Sequence, residues 1–158
     1  MDDTLNRLEK IISKKEIDAL KDIVIFKESD DAYNLYDKYL IVKNDDGIYV
    51  VSVIGTFTEK KFYKLKNAVA WCSFDKRNMF KGATRLHQLD QLLFSMDTEI
   101  QLHSRLTKKS VDEDYKLIYL SKLSQNKAKK RKYTVELDRY LTEYKNWQNA
   151  QFNTKPKY

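Results

Sequence analysis

One cysteine, one proline and three glycines are all that this 158-residue chain has of the residues that staple, break or loosen a backbone. Cys72 alone excludes an internal disulfide framework and a multi-cysteine zinc site, and it predicts a reducing compartment. The shortage of Gly and Pro leaves helices and tight turns to make most connections. Long apolar runs are missing as well. The longest, Ile48 to Ile54, is interrupted by Ser52 and falls far short of the roughly 20 residues of a membrane span, so a soluble chain with no membrane partner is expected. Met-Asp-Asp-Thr at the N-terminus is acidic and polar, which predicts neither a secretory nor an import signal and therefore a cytoplasmic protein. No glycine-rich phosphate loop and no two-His-plus-Glu helical zinc motif occurs, so neither a cofactor nor a catalytic metal is expected.

What the chain does have is charge divided by position. Residues 1–57 hold 8 Lys/Arg against 12 Asp/Glu, whereas residues 58–158 hold 22 against 11, so the global +7 understates a basic C-terminal two-thirds. Such a field attracts polyanions and acidic protein surfaces. With 42% apolar and 13% aromatic residues, a chain of this length buries about two-thirds of its unfolded surface, enough for one core.

Hydropathy then orders the elements. Leu5, Leu8, Ile11, Ile12, Ile17 and Leu20 recur mostly at three and four, predicting an amphipathic helix over Thr4 to Leu20. Ile23-Val24-Ile25-Phe26 is a short strand-like run ending at Ser29-Asp30-Asp31. Tyr39–Val42 and Ile48–Ile54 flank Asn44-Asp45-Asp46-Gly47, residues that tolerate left-handed geometry, so a hairpin is expected there. Phe62, Leu65, Ala68, Val69 and Cys72 predict a helix from near Tyr63 to before Gly82. Leu86, Leu89, Leu93, Met96, Ile100, His103 and Leu106 predict another over Ala83 to Leu106. Ser110-Val111-Asp112-Glu113 fits a capping box that opens a further helix, whose apolar side is expected to be Leu117, Leu120 and Leu123. Ser124 to Lys132 shows no buried face, which leaves either one long helix with a basic middle or two broken near Asn126. The fold class expected is α+β: an N-terminal helix, a small antiparallel sheet around a central hairpin, and a helical C-terminal half with a long basic arm. Residues 1–109 form the α+β domain and residues 110–158 the arm, packed on the same domain.

Two constellations stand out for binding. Lys127, Lys129, Lys130, Arg131 and Lys132, supported by Arg105, Lys108 and Lys109, would neutralise phosphates and release counterions, a nucleic-acid-binding surface for DNA or RNA without sequence preference. The competing account is a solvated helix surface. Tyr133, Leu137, Tyr140, Tyr144 and Trp147 make an aromatic seam that either packs on the domain or docks onto a partner. Tyr36, Tyr39, Tyr49 and Phe57 are candidates for base stacking, against the plainer reading of core aromatics. His87 with Asp90, and Glu99 with His103, share helix faces, but two ligands do not close a metal site. Cys72 reads as a small core hydrophobe.

The strings KLKNAVAWCSFDKRN, ATRLHQLD, LIYLSKL and YKNWQNAQF resemble small uncharacterised proteins of large tailed phages of marine bacteria, over about residues 38 to 152. The resemblance implies a phage-encoded protein acting in the infected cell or carried in the virion, and it brings no activity or catalytic residue. Function is expected to be interaction rather than catalysis: a non-enzymatic structural or assembly accessory that binds a protein partner or itself, or alternatively a nucleic-acid-binding protein.

Overall fold

The computed structural model describes residues 25–29 and 32–154. The helix expected over Thr4 to Leu20 lies outside the described residues. Five strands, β1 (Ile25–Ser29), β2 (Ala32–Leu35), β3 (Tyr39–Lys43), β4 (Tyr49–Val53) and β5 (Glu59–Phe62), are followed by three helices, α1 (Leu65–Lys76), α2 (Phe80–Lys109) and α3 (Glu113–Thr154). The fold is α+β.

The strands form one antiparallel meander in sequence order. Its centre is the β3–β4 hairpin, with Ile41 opposite Val51 and Tyr39 opposite Val53. Asn44 Oδ1 accepts from the backbone N–H groups of Asp46 and Ile48, while Gly47 supplies a φ of +78°. The turn closes because both residues tolerate what the chain needs there. Period-two alternation puts Tyr33, Leu35, Tyr39, Ile41, Tyr49, Val51, Val53 and Phe62 on the face that is buried, since each is opposite or in register with the next across the ladder. Leu40, Val42, Val50 and Ser52 point to the other face. There only Val42 is substantially exposed.

α1 is buried nearly all round, from Leu65 through Trp71, Cys72 and Phe74. A helix with that pattern belongs between layers, and α1 contacts β4 and β5 as well as α2 and α3. Its start has no side-chain cap of its own. Asp90 of α2 does the work from a distance: its carboxylate accepts from the N–H of Tyr63 and of Lys64 and from Asn67 Nδ2, at 2.9, 3.3 and 2.8 Å. These are donors that a helix start leaves unsatisfied or that burial would strand.

The end of α1 falls before Gly82, as expected, and its exact place has a local cause. The helix stops at Lys76 because Asn78 takes a left-handed φ of 61°. The Met79 N–H then reaches Phe74 O, and the Asn78 N–H reaches Asp75 O. That is the Schellman arrangement, with Asn in the position glycine usually fills. Gly82 is instead inside α2. A Cβ there would sit 3.1 Å from the Phe74 ring and 3.6 Å from Tyr140, so the glycine permits close approach and does not break the helix.

α3 is a single helix of 42 residues, about 63 Å long at 1.5 Å per residue, and it has no break at Asn126. Its start also departs from expectation. Asp112, not Ser110, caps it, since Asp112 Oδ1 accepts from the N–H of Asp114 and Tyr115. Residues 110–112 thus join α2 and α3 into a long antiparallel hairpin. Leu137 and Tyr144 of α3 belong to the same buried cluster as the sheet, α1, Leu86 and Leu89. The arm and the α+β portion share one core.

Candidate interaction surface

The helical hairpin has two halves with different neighbours. Near the sheet, α2 packs on β5 and α1, and α3 packs on α1. Tyr63 stacks on Phe94 with ring centroids 3.6 Å apart, Phe74 meets Tyr140 edge-on, and Arg77 lies over the rings of Phe74 and Trp147. The Arg77 guanidinium also donates two hydrogen bonds to Glu143, at 2.7 and 2.9 Å. Arg85 pairs with Glu136 in the same two-pronged way, which holds the Arg85 guanidinium more firmly protonated and the Glu136 carboxyl below its ordinary range.

This half absorbs the aromatic seam. Tyr144 and Leu137 are buried, and Tyr133, Tyr140 and Trp147 pack against the same cluster. Trp147 meets Tyr36 edge-on. The five residues read as a partner surface therefore cover this chain's own core. Tyr36, Tyr39 and Tyr49 are buried too, so three of the four stacking candidates are core aromatics and only Phe57 projects into solvent. Burial pushes the hydroxyls of Tyr36, Tyr39 and Tyr144 well above the ordinary tyrosine range; for Tyr39 the hydrogen bond to Asp75 adds to it. Cys72 is sealed and its thiol is pushed up by the same burial, which keeps it from reacting as a thiolate.

Beyond Phe94 the burial of the hairpin falls away among the described residues. Among the described residues, nothing in α2 after Asp90 is buried, and in α3 before Leu137 only Asn126 is. Asn126 hydrogen-bonds His103 across the hairpin, Nδ2 to Nδ1 at 3.1 Å, and Lys130 pairs with Asp97. Apart from the His103–Tyr119 ring contact at 6.5 Å, these cross-helix contacts are polar. A small open pocket lined by Glu99, Leu102, His103, Lys122, Gln125 and Asn126 marks the loose packing.

The basic residues follow the helix around rather than gathering. At about 100° per residue, Lys127 and Arg131 fall on one flank of α3, Lys129 and Lys132 on the other, and Lys130 turns towards α2 and its Asp97 partner. Arg105, Lys108 and Lys109 are exposed on the end of α2. Lys108 and Lys109 in its last turn, and Glu113 and Asp114 in the first turn of α3, match the helix dipoles. The tip thus has a cationic side and an anionic side.

The expected apolar side of α3, Leu117, Leu120 and Leu123, is corrected here, because of the three only Leu123 is half-buried. Tyr115, Leu117, Ile118 and Leu120 are 58, 63, 48 and 45% exposed. Tyr119 faces α2, so Leu117 points away from it and Ile118 and Leu120 go to the flanks. Val111 in the connecting loop is fully exposed. The signal was present in the string YKLIYL, which is apolar on every side of a helix, whereas a hairpin can cover only one side.

The acid and imidazole pairs have structural places. Asp90 caps α1, and burial raises its carboxyl above the ordinary range against the pull of its N–H donors. His87 lies edge-on to Phe62 and its Nε2 is 3.0 Å from Lys61 O. Three or more His, Cys, Asp or Glu side chains do not meet at a possible metal site among the described residues, and no helix there is long and apolar enough to cross a membrane. No family model, curated protein or solved structure matches the chain.

Proposed function

We propose that this chain is a non-enzymatic structural or assembly accessory that works by protein–protein interaction, and that the distal hairpin of α2 and α3 is its docking surface. The observation that carries this is the turn from Tyr115 to Leu120, which is apolar on all sides but covered on one. Apolar surface concentrated at the end of a projecting element is characteristic of recognition surfaces. The resemblance to proteins of large tailed phages fits an accessory acting in an infected cell or carried in a virion.

A photo-crosslinking residue placed at position 117 is the direct test. Irradiation of cells making the protein should yield a defined protein adduct, while the same residue at position 45, in the β3–β4 turn, should not. No adduct at 117, or equal adducts at both positions, would remove the reading.

The alternative is sequence-tolerant binding of DNA or RNA. It draws on Lys127 and Arg131, which are exposed on one flank a turn apart. Dispersal of the other cations, and the Asp97 partner of Lys130, weigh against a continuous phosphate track. Under that alternative a mobility shift would weaken linearly in log salt and flatten when Lys127, Lys129, Lys130, Arg131 and Lys132 are changed to Gln.

A further inference from the structure

The hairpin tip is self-complementary, and we infer that it pairs with a second copy of this chain, two hairpins joining through their tips into a four-helix bundle. The inference rests on the reading of the distal hairpin as a docking surface and names what docks there.

Two observations show apolar surface to be covered, and a third selects a second copy. First, the distal hairpin is half of a bundle. Met96, Ile100, Leu106 and Leu123 point inward yet stay only half-buried. Helices of this kind take most of their stability from apolar packing against neighbours, and two more helices would close the core. Second, apolar residues also line the outside: Leu117 and Leu120 on α3, and Leu102 on α2. Nothing among the described residues covers them, and a helix laid along the Leu120 flank of α3 would cover Leu120 and the near side of Leu117.

Third, the charges suit a twofold axis. An isologous interface uses one patch twice, so the patch must complement itself. Here Arg105, Lys108 and Lys109 lie on the end of α2, and Asp112 just before α3 with Glu113 and Asp114 in its first turn outweigh the single Lys116 there. A twofold through the tip sets the cationic end of α2 against the anionic start of the second copy's α3, and does so reciprocally. A tip of one sign throughout would repel its own copy.

The test uses the full chain. In light scattering at tens of micromolar the protein should show twice its 18.9 kDa mass. Leu117→Glu with Leu120→Glu should weaken self-association on the order of 100-fold, since two central apolar contacts are lost. Both side chains are exposed in the single chain, so the variant should keep the far-ultraviolet circular dichroism and the melting behaviour of a folded monomer. Charge reversal gives the sharper readout. Lys108→Glu with Lys109→Glu should be monomeric, and so should Glu113→Lys with Asp114→Lys, but an equimolar mixture of the two should regain the double mass.

A wild-type chain of single mass at every concentration would overturn the inference. So would a dimer indifferent to the leucine changes, or a mixture of the charge variants that stays monomeric. If the chain is monomeric while a crosslinker at position 117 captures a different protein, the self-pairing fails and the docking reading stands.

Discussion

Leu89 and Leu137 are sealed, whereas Leu102 and Leu117, on the same two helices, are wet. Side-chain chemistry does not differ between the pairs; their neighbours do. Near the sheet, the hairpin helices meet α1 and β5, and an aromatic belt of Phe74, Tyr140, Tyr144 and Trp147 closes the seam. Past Phe94 the same helices hold each other through Asn126–His103 and Lys130–Asp97, which cost nearly as much to desolvate as they return. One end is a domain core and the other is a pair of helices whose outer apolar side chains stay exposed.

The contrast is sharpest for large-to-small substitution. Phe62→Ala removes a fully buried ring that touches Trp71 and His87 and should cost about 3–5 kcal/mol in denaturant unfolding. Asp90→Asn should cost about 1–3 kcal/mol, because an amide cannot accept from all the N–H donors that the carboxylate now satisfies. The same variant tests a pH dependence. The buried Asp90 carboxyl holds its proton more tightly folded than unfolded, so from about the ordinary value of 3.8 upward the folded chain binds the more protons. Its contribution to stability is therefore full below that value and is lost as pH rises through the folded value. Urea midpoints against pH should show this decline in wild type and not in the Asn variant.

Smaller effects probe the boundary between the halves. Arg77→Ala removes the pair with Glu143 and the stacking on Phe74 and Trp147; about 1–2 kcal/mol is expected, with the ring contacts carrying more than the half-exposed ion pair. A double-mutant cycle with Glu143→Gln would separate them. At the far end, Leu120→Ala should change stability of the monomer by less than about 0.5 kcal/mol. Amide exchange gives the same comparison without substitution. In the monomeric leucine variant, protection should be greatest in β3, β4 and α1 and lowest from residue 102 to residue 120; uniform protection along both helices would erase the distinction.

Much of the fold was legible in local pattern. The β3–β4 hairpin follows from Asn44 and Gly47 between β-branched runs, and the long helices follow from leucines at three and four. Less local features were not. Asn78 ends α1 in a left-handed conformation that no glycine announced, and Gly82, which looks like a breaker, is a packing glycine against Phe74. Ser110 and Glu113 fit a capping box, yet Asp112 won because its carboxylate reaches two N–H groups at once. Of the candidate surface, the cations were visible as a run, but their spread around α3 shows only when the helix is continuous. The aromatic seam was visible too, though whether it faced inward depended on where α1 and Tyr36 came to rest.

Sequence alone decided the β3–β4 hairpin and the helical C-terminal half, that the C-terminal part is basic, and that apolar residues crowd the start of α3, because each of these depends on neighbours a few residues apart; β2 and β5, the latter with Phe62 read as helical, became strands only through pairing with their neighbours. Tertiary structure decided which apolar residues are covered, since that depends on the reach of the sheet and α1 along the hairpin. They cover it as far as Phe94, and Leu102, Leu117 and Leu120 beyond it stay exposed.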